Sequence, residues 1–300
     1  MVVLVTGANG QLGQGIQYIS EKYPEVHFVF CSSSDLDITN KENCQAVFAK
    51  NKPNFCINAA AYTAVDKAES EPEKAHLINV IGAKNLAEVC KETNAVLLHV
   101  STDFVFDGDY SKLSTQAQSM GYSEEDVPNP TGIYGQTKLD GEKAIQETFD
   151  NYFIIRTSWV YSQFGNNFMK TMLRLAADRD SLSVVNDQIG TPTNAVDLAE
   201  VLIKICATSN FLPKLRDTTS NLFGIYNFSN EGQCSWFDFA QKIFEINNIT
   251  INLQPIPTSS YPTPAQRPAY SVLDKSKIKI VFGVAINNWE ESLKNVIFLL

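Results

Sequence analysis

Tyr134 and Lys138 stand four residues apart in Tyr134-Gly135-Gln136-Thr137-Lys138, a spacing that puts both on one face of a helix. A phenol titrates near pH ~10, so a tyrosine that is to donate its proton needs a neighbouring positive charge to stabilise phenolate. Lys138 can supply that charge. The spacing alone says little, because a chain with 11 tyrosines yields roughly one such pair by chance. A second pair, Tyr18 and Lys22, does occur, but it falls on the first helix, away from the carboxyl ends of strands, and reads as a surface pair. Tyr134 stands out because a strand ending in Ser101-Thr102-Asp103 precedes it.

The N-terminus offers a second chemical feature. Val2-Val3-Leu4-Val5-Thr6-Gly7-Ala8-Asn9-Gly10-Gln11-Leu12-Gly13 is an apolar strand running into glycines three apart. Gly7 permits a tight turn, Gly10 lets backbone N–H groups approach a pyrophosphate, and Gly13 lets the next helix pack close to the sheet. An anion would then sit at the positive end of that helix, which is the architecture of a dinucleotide site. The next strand ends in Cys31-Ser32-Ser33-Ser34, without the acidic residue that would bind a 2′-hydroxyl and repel a 2′-phosphate. NADPH is therefore expected, with NADH possible.

The elements that position these residues alternate. Strand-like runs recur at 2–5, 27–31, 55–58, 96–101 and 152–156, with helical patterns between them, one of which starts at Pro72. This alternation predicts an α/β fold, a Rossmann-type doubly wound parallel sheet. Beyond Arg156 the pattern continues less regularly, with a helix at about 167–177, a strand at 182–185, a helix at about 194–207 and a strand at 224–228. Ser235 should cap a helix from Trp236 to Asn247, with Asp238 in its first turn. The expected organisation is a dinucleotide-binding domain over 1–158, with later returns near 182–208 and 224–228. A smaller, discontinuous C-terminal substrate-binding lobe would mainly comprise 159–181 and 229–300. Between residues 254 and 268 lie five of the chain's 12 prolines, which predicts an extended loop without regular structure, placed to cover a ligand.

Composition narrows the partners. A chain of 300 residues with 44% hydrophobic content can bury a large core, and a net charge of -9 disfavours nucleic acid and anionic membranes. The six cysteines form no C-x-x-C pair and read as reduced core residues. The three histidines are isolated, so no metal is expected. No apolar stretch approaches a membrane span and the first strand starts at Val2, so a cytoplasmic protein is expected.

Taken together, several segments resemble the extended short-chain dehydrogenase/reductases, in particular the dTDP-4-dehydrorhamnose reductase family. They are the Gly-x-x-Gly-x-x-Gly turn from Gly7 to Gly13, Asn58-Ala59-Ala60-Ala61-Tyr62-Thr63-Ala64-Val65-Asp66, Ser101-Thr102-Asp103-Phe104-Val105-Phe106-Asp107-Gly108, Arg156-Thr157-Ser158-Trp159-Val160-Tyr161 and Asp187-Gln188-Ile189-Gly190-Thr191-Pro192-Thr193. The resemblance implies a catalytic trio of Thr102, Tyr134 and Lys138, with Thr102 bonding the substrate carbonyl, Tyr134 protonating its oxygen and Lys138 holding the nicotinamide ribose. It implies cofactor contacts from Gly7, Asn9, Gly10, Gln11, Leu12 and Gly13, from Asp37 and Ile38 at the adenine, and from Ala59, Ala60, Ala61 and Tyr62. It implies substrate contacts from Thr102, Asp103, Trp159 and Gln188, with Arg267 gripping the nucleotide diphosphate.

The activity so implied is NAD(P)H-dependent reduction of the C4 ketone of dTDP-4-dehydro-L-rhamnose to dTDP-L-rhamnose, for surface polysaccharide. Two other activities share the superfamily's motifs: sugar-nucleotide epimerase or dehydratase, and a non-catalytic subunit like the regulatory one of methionine adenosyltransferase. Some family members pair through magnesium held by glutamates. Gln14, Gly15 and Val196 stand at the corresponding places here, so a monomer or a weak homodimer is expected.

Overall fold

The apolar runs pair side by side. Val2–Thr6 (β1), His27–Cys31 (β2), Phe55–Asn58 (β3), Val96–Thr102 (β4) and Tyr152–Thr157 (β5) join Gly224–Asn227 in a six-stranded sheet. Its order is Gly224–Asn227, β5, β4, β3, β1, β2, and every pair is parallel. The computed structural model describes residues 1–210 and 222–300.

Side chains alternate along these strands, so both faces of the sheet need covering. Val3 and Val5 face a layer that contains Leu12, Ile16 and Ile19 of α1 (Gln11–Ser20), Leu198 and Leu202 of the helix Ala195–Asn210, and Ile278 and Phe282 of the helix Ser276–Phe282. Leu4 faces the other layer, with Cys44 and Phe48 of α2 (Lys41–Asn51), Leu86 and Val89 of Gly82–Thr93, and Ile145 of Ile133–Thr148. The expected doubly wound α/β fold is formed. The chain passes from β1 outward to β2 and then returns to β3 on the other side, and at such a reversal a crevice opens beyond the carboxyl ends of the strands. All six cysteines are buried and free.

A third apolar cluster lies apart from the sheet. It gathers Met169 and Met172 of Phe168–Asp178, Leu182 and Val184 of Ser181–Val185, Phe239 and Ile243 of Trp236–Ile246, and Trp289 and Leu293 of Trp289–Ile297. Ser235 and Asp238 cap the helix Trp236–Ile246 reciprocally: Ser235 Oγ accepts from Asp238 N–H at 3.1 Å and Asp238 Oδ2 from Ser235 N–H at 2.9 Å.

The proline-rich stretch differs from the expected loop. Asn252–Ile256 is a strand paired in parallel with Ser181–Val185, and Thr258–Ser260 is a 3₁₀ turn. A two-stranded sheet consists of edges alone, and an edge tolerates a proline that cannot donate a hydrogen bond, so Pro255 does not break the strand.

The helix opened by Pro72 (Pro72–His76) passes through a π-helical turn, Leu77–Ile81, into Gly82–Thr93. Asn79 lies in that turn. Its Oδ1 accepts from Tyr62 N–H at 2.8 Å, and its Nδ2 donates to Tyr62 O at 3.2 Å and Thr137 Oγ1 at 3.1 Å. One side chain thus ties the segment after β3 to the helix Ile133–Thr148. Gly141 of that helix sits on the Asn79 carbonyl, where a Cβ would stand 2.2 Å from the oxygen. Gly141→Ala should cost about 1–3 kcal/mol by overpacking, read as a lower urea midpoint at unchanged slope. An unmoved midpoint would mean that the two helices are not held this close.

Candidate active site

The carboxyl ends of the central strands open into a cavity of about 1080 Å³. Its floor is the glycine turn. Gly7 has φ +65°, and a Cβ on it would stand 2.7 Å from the Ala59–Ala60 peptide. Gly10 N–H donates to Gly7 O at 2.9 Å, closing the turn. α1 then starts with neither a side-chain cap nor an acidic residue in its first turn, so its leading N–H groups are left for an anion. Gln11 braces the far wall: its Nε2 donates to Val160 O at 3.3 Å, while its Oε1 accepts from Ser162 Oγ at 3.1 Å and Asn167 Nδ2 at 2.9 Å.

At the opposite end, β4 delivers Thr102 and Asp103 beside Tyr134 and Lys138 of Ile133–Thr148. Gly135 makes this approach possible, since a Cβ there would stand 2.2 Å from Phe104 O. The Phe104 ring meets Tyr134 edge-on, with centroids 5.5 Å apart. Thr102 Oγ1 donates to Asp103 Oδ1 at 3.1 Å and accepts from Phe104 N–H at 3.2 Å. Burial pushes the Asp103 carboxyl up to about 6.

Lys138 is only 2% exposed. Its Nζ donates to Val100 O at 2.7 Å and lies 3.2 Å from His99 Nε2. Burial lowers it to about 8, against the raising effect of Glu142 one turn along the helix. Glu142 is itself clamped: Arg156 Nη2 and Nε donate to its carboxylate at 2.7 and 3.0 Å, and Ser101 Oγ donates at 2.5 Å.

The expected acidification of the phenol is not what this arrangement gives. Burial pushes Tyr134 up to about 12, with Thr102 opposing the rise and Asp103 adding to it. The Lys138 nitrogen is engaged with the β4 backbone and His99, and desolvation of phenolate sets the direction of the shift.

Of the residues singled out in the sequence, the cavity wall includes Gly7, Asn9, Gly10, Gln11 and Leu12, then Asp37, Ile38, Ala59, Ala60 and Ala61, and finally Thr102, Asp103, Tyr134, Lys138, Trp159 and Arg267. Gly13 sits behind the turn, where a Cβ would meet Gly7 O at 2.4 Å. Tyr62 is turned away, its hydroxyl donating to Glu71 at 2.9 Å. Gln188 is off the wall as well, with its Nε2 donating to Thr258 Oγ1 at 3.0 Å. The other pair, Tyr18 and Lys22, is at the surface: Tyr18 is 50% exposed and Lys22 pairs with Glu200.

Several contacts were not visible in the sequence. Trp159 has φ +45° and stacks on Trp236, with ring centroids 3.5 Å apart, so one of its faces is already covered. Arg267 is bidentate to Asp66, at 3.0 and 2.7 Å, which holds the Asp66 carboxyl below its usual range. His99, Asn58 and Arg156 carried no spacing signal. Glu142 did, standing four residues after Lys138 on the same helix face.

Comparison with known proteins gives consistent matches. Residues 1–299 match the family described as RmlD substrate binding domain. The chain is 42% identical to a dTDP-4-dehydrorhamnose reductase of Aggregatibacter actinomycetemcomitans, over 98% of this chain and 97% of that one. Among solved structures, a dTDP-4-dehydrorhamnose reductase of Clostridium acetobutylicum superposes with a TM-score of 0.89 at 41% identity, covering 100% of this chain and 99% of its own. That of Bacillus anthracis, in complex with NADP, also gives 0.89, at 40% identity and the same coverage.

The Glu142–Arg156 pair generates a stability prediction. Glu142→Ala leaves a guanidinium buried without its partner and should destabilise the fold by about 3–5 kcal/mol. Replacing both residues by leucine should regain much of that loss in urea denaturation. If Glu142→Ala costs less than about 1 kcal/mol, water reaches Arg156 and the pair is not sealed.

Proposed function

The chain belongs to the dTDP-4-dehydrorhamnose reductase family, and from that premise we propose that it reduces the C4 ketone of dTDP-4-dehydro-L-rhamnose with NADPH, giving dTDP-L-rhamnose for surface polysaccharide. The observation that carries this reading is a single cavity running from the glycine turn to Tyr134, Lys138, Thr102 and Asp103.

The residues present fit a dinucleotide. Gly7 and Gly10 leave room above the start of α1 that side chains would fill. The cavity edge after β2 carries Ser32 and Ser33, while Asp35 turns back to accept from Ser32 at 2.6 Å. No carboxylate from β2 therefore opposes a 2′-phosphate, which supports NADPH, with NADH accepted. When bound, a reduced nicotinamide supplies hydride to the ketone carbon.

The chain's own residues do the rest. Thr102 Oγ1 and Tyr134 Oη hold the ketone oxygen, and Tyr134 gives it a proton as negative charge builds there. A phenol at about 12 suffices, because the alkoxide it protonates is far more basic than phenolate. Lys138 keeps a positive charge on the same helix face and binds the nicotinamide ribose. Asp103 and Trp159 contact the sugar, and Arg267 exchanges its planar contact with Asp66 for the diphosphate.

Residues 1–158, with the helix Ala195–Asn210 and the strand Gly224–Asn227, serve the dinucleotide; 159–181 and most of 229–300 serve the nucleotide sugar, but the expected bounds shift, because Ser181–Val185 packs with this lobe and Ser276–Phe282 packs back on the six-stranded sheet. The protein acts in the cytoplasm, as a monomer or weak homodimer. Support for the latter comes from Gly15, where a Cβ would meet Ala195 O at 3.2 Å: the place of a metal-holding glutamate is occupied by packing between two helices. No helix among the described residues is long and apolar enough to cross a membrane.

The direct test supplies dTDP-4-dehydro-L-rhamnose and NADPH and follows cofactor absorbance together with the nucleotide sugar formed; no oxidation would reject the reading. Tyr134→Phe should lower kcat by about 10²–10⁴ while NADPH affinity stays within about threefold, and near-normal turnover would remove Tyr134 from its role. Arg267→Ala should raise KM for the sugar nucleotide about tenfold or more with kcat little changed; an unchanged KM would refute its contact. Because Lys138 sits lowered to about 8, its ammonium is lost as pH rises through that value. The pH profile of kcat/KM should therefore fall on its alkaline side near 8, and a flat profile to pH ~10 would contradict this.

A further inference from the structure

Behind Lys138 runs a buried polar chain that no step above uses. Thr6 Oγ1 donates to Asn58 Oδ1 at 2.6 Å, Asn58 Nδ2 faces His99 Nδ1 at 3.0 Å, and His99 Nε2 faces Lys138 Nζ at 3.2 Å. None of the four residues is more than 2% exposed. They come from β1, β3, β4 and the catalytic helix, one after another across the sheet.

The bonding capacity of these groups fixes their protons. Asn58 Oδ1 accepts from Thr6 Oγ1 and also from Ala60 N–H at 3.2 Å, so Nδ2 is the atom turned to His99. An amide NH₂ only donates, which makes His99 Nδ1 an acceptor and places the imidazole proton on Nε2. A proton on Nε2 can bond Lys138 Nζ only if that nitrogen has a free lone pair, that is, as the neutral amine. An ammonium at the same place needs Nε2 as acceptor. That requires the proton on Nδ1 and the Asn58 oxygen turned toward it.

The surroundings allow this second arrangement. With the Asn58 amide rotated, Nδ2 donates to Thr6 Oγ1, and Ala60 N–H keeps Thr6 Oγ1 as an acceptor at 3.3 Å. Asn58, His99 and Lys138 stay bonded to one another in both states, the Thr6 hydroxyl proton gives up Asn58 Oδ1 as its acceptor in the second, and the imidazole is neutral in both. Going from one to the other adds one proton to the pair: amine with Nε2–H becomes ammonium with Nδ1–H. We propose that His99 is the positioning residue of Lys138, holding the nitrogen in one place in both protonation states by exchanging its own tautomer in step with the Asn58 amide.

Burial and the Lys138 charge keep His99 well below its ordinary value, which preserves the neutral ring that the exchange needs. The charged or titratable groups facing this pair are Glu142 on the lysine's own helix, held by Arg156 of β5. Asp103 faces Tyr134. Of the two hydrogen-bond partners that Lys138 Nζ has among the described residues, Val100 O can only accept, whereas His99 can both give and accept. A simple packing role would need neither nitrogen.

The inference rests on the reductase reading for its kinetic arm alone, and the spectroscopic arm needs no substrate. With three histidines in the chain, ¹H–¹⁵N correlation spectra of ¹⁵N-histidine-labelled full-length protein can follow His99 by itself, identified by its loss in His99→Gln. The expected result is a neutral ring throughout, with the proton on Nε2 above about pH 8 and on Nδ1 below it, and with the exchange abolished in Lys138→Met. One fixed tautomer from pH ~6 to ~10, or an imidazolium, would overturn the proposal.

In the kinetic arm, His99→Leu removes the acceptor from the ammonium and should move the alkaline limb of kcat/KM down by about one pH unit. His99→Gln, whose amide can give or accept, should leave the limb within about 0.3 unit. A limb unmoved by His99→Leu in folded protein would overturn the proposal. Tautomer exchange without any NADPH oxidation would leave His99's role standing and reject the reductase reading instead.

Discussion

Lys138 carries its nitrogen to a place where almost no solvent reaches it, and a charge there is tolerated only if fixed dipoles and counter-charges replace water. Val100 O, His99 and the Glu142 carboxylate are those replacements. Each comes from a different position, yet all are set by the same two elements, β4 and the helix packed across its end. The desolvation that lowers Lys138 also raises Tyr134 and Asp103. The fold therefore sets the protonation states of the three groups together, and the proposed role of Tyr134 as a donor rests on the phenol staying protonated.

That arrangement needs close backbone approach at several points. Gly135 lets the helix Ile133–Thr148 settle on the turn after β4, and Gly141 lets it settle on the π-helical turn of Asn79. Asn79 in turn fixes the chain after β3, which forms the wall beside the glycine turn. The Glu142–Arg156 pair welds the helix to β5, and Arg156 lies over the Phe106 ring, 5.3 Å from its centroid. The cavity is thus shaped by contacts between consecutive strands' carboxyl ends, which is where a doubly wound sheet leaves space.

Much of this was legible in the chain. Continuous apolar runs in Val2–Thr6 and Phe55–Asn58 gave buried strands, and the glycine spacing and the Tyr134–Lys138 pair gave the two ends of the cavity, because each is a local pattern. What could not be read comes from residues distant in sequence. His99 looked isolated, since Asn58 and Lys138 reach it only after the strands pair. Trp159 was expected among the substrate contacts, yet Trp236 from another element covers one of its faces. Arg267 was expected to grip the nucleotide diphosphate, yet Asp66 occupies its fork. The prolines around Pro255 argued for a loop, and only the isolation of that two-stranded sheet makes a strand permissible. Acidification of the phenol failed for a related reason: the spacing gives the charge but not the desolvation.

The central claim is that Tyr134, with Thr102, faces a ketone at one end of a cavity whose other end holds a dinucleotide on the glycine turn. A crystal structure with NADPH and the nucleotide sugar tests it most directly. The account predicts the sugar's C4 oxygen within about 3 Å of both Tyr134 Oη and Thr102 Oγ1, with the pyrophosphate over the start of α1. A C4 oxygen held by other residues, or a pyrophosphate away from Gly10, would contradict it.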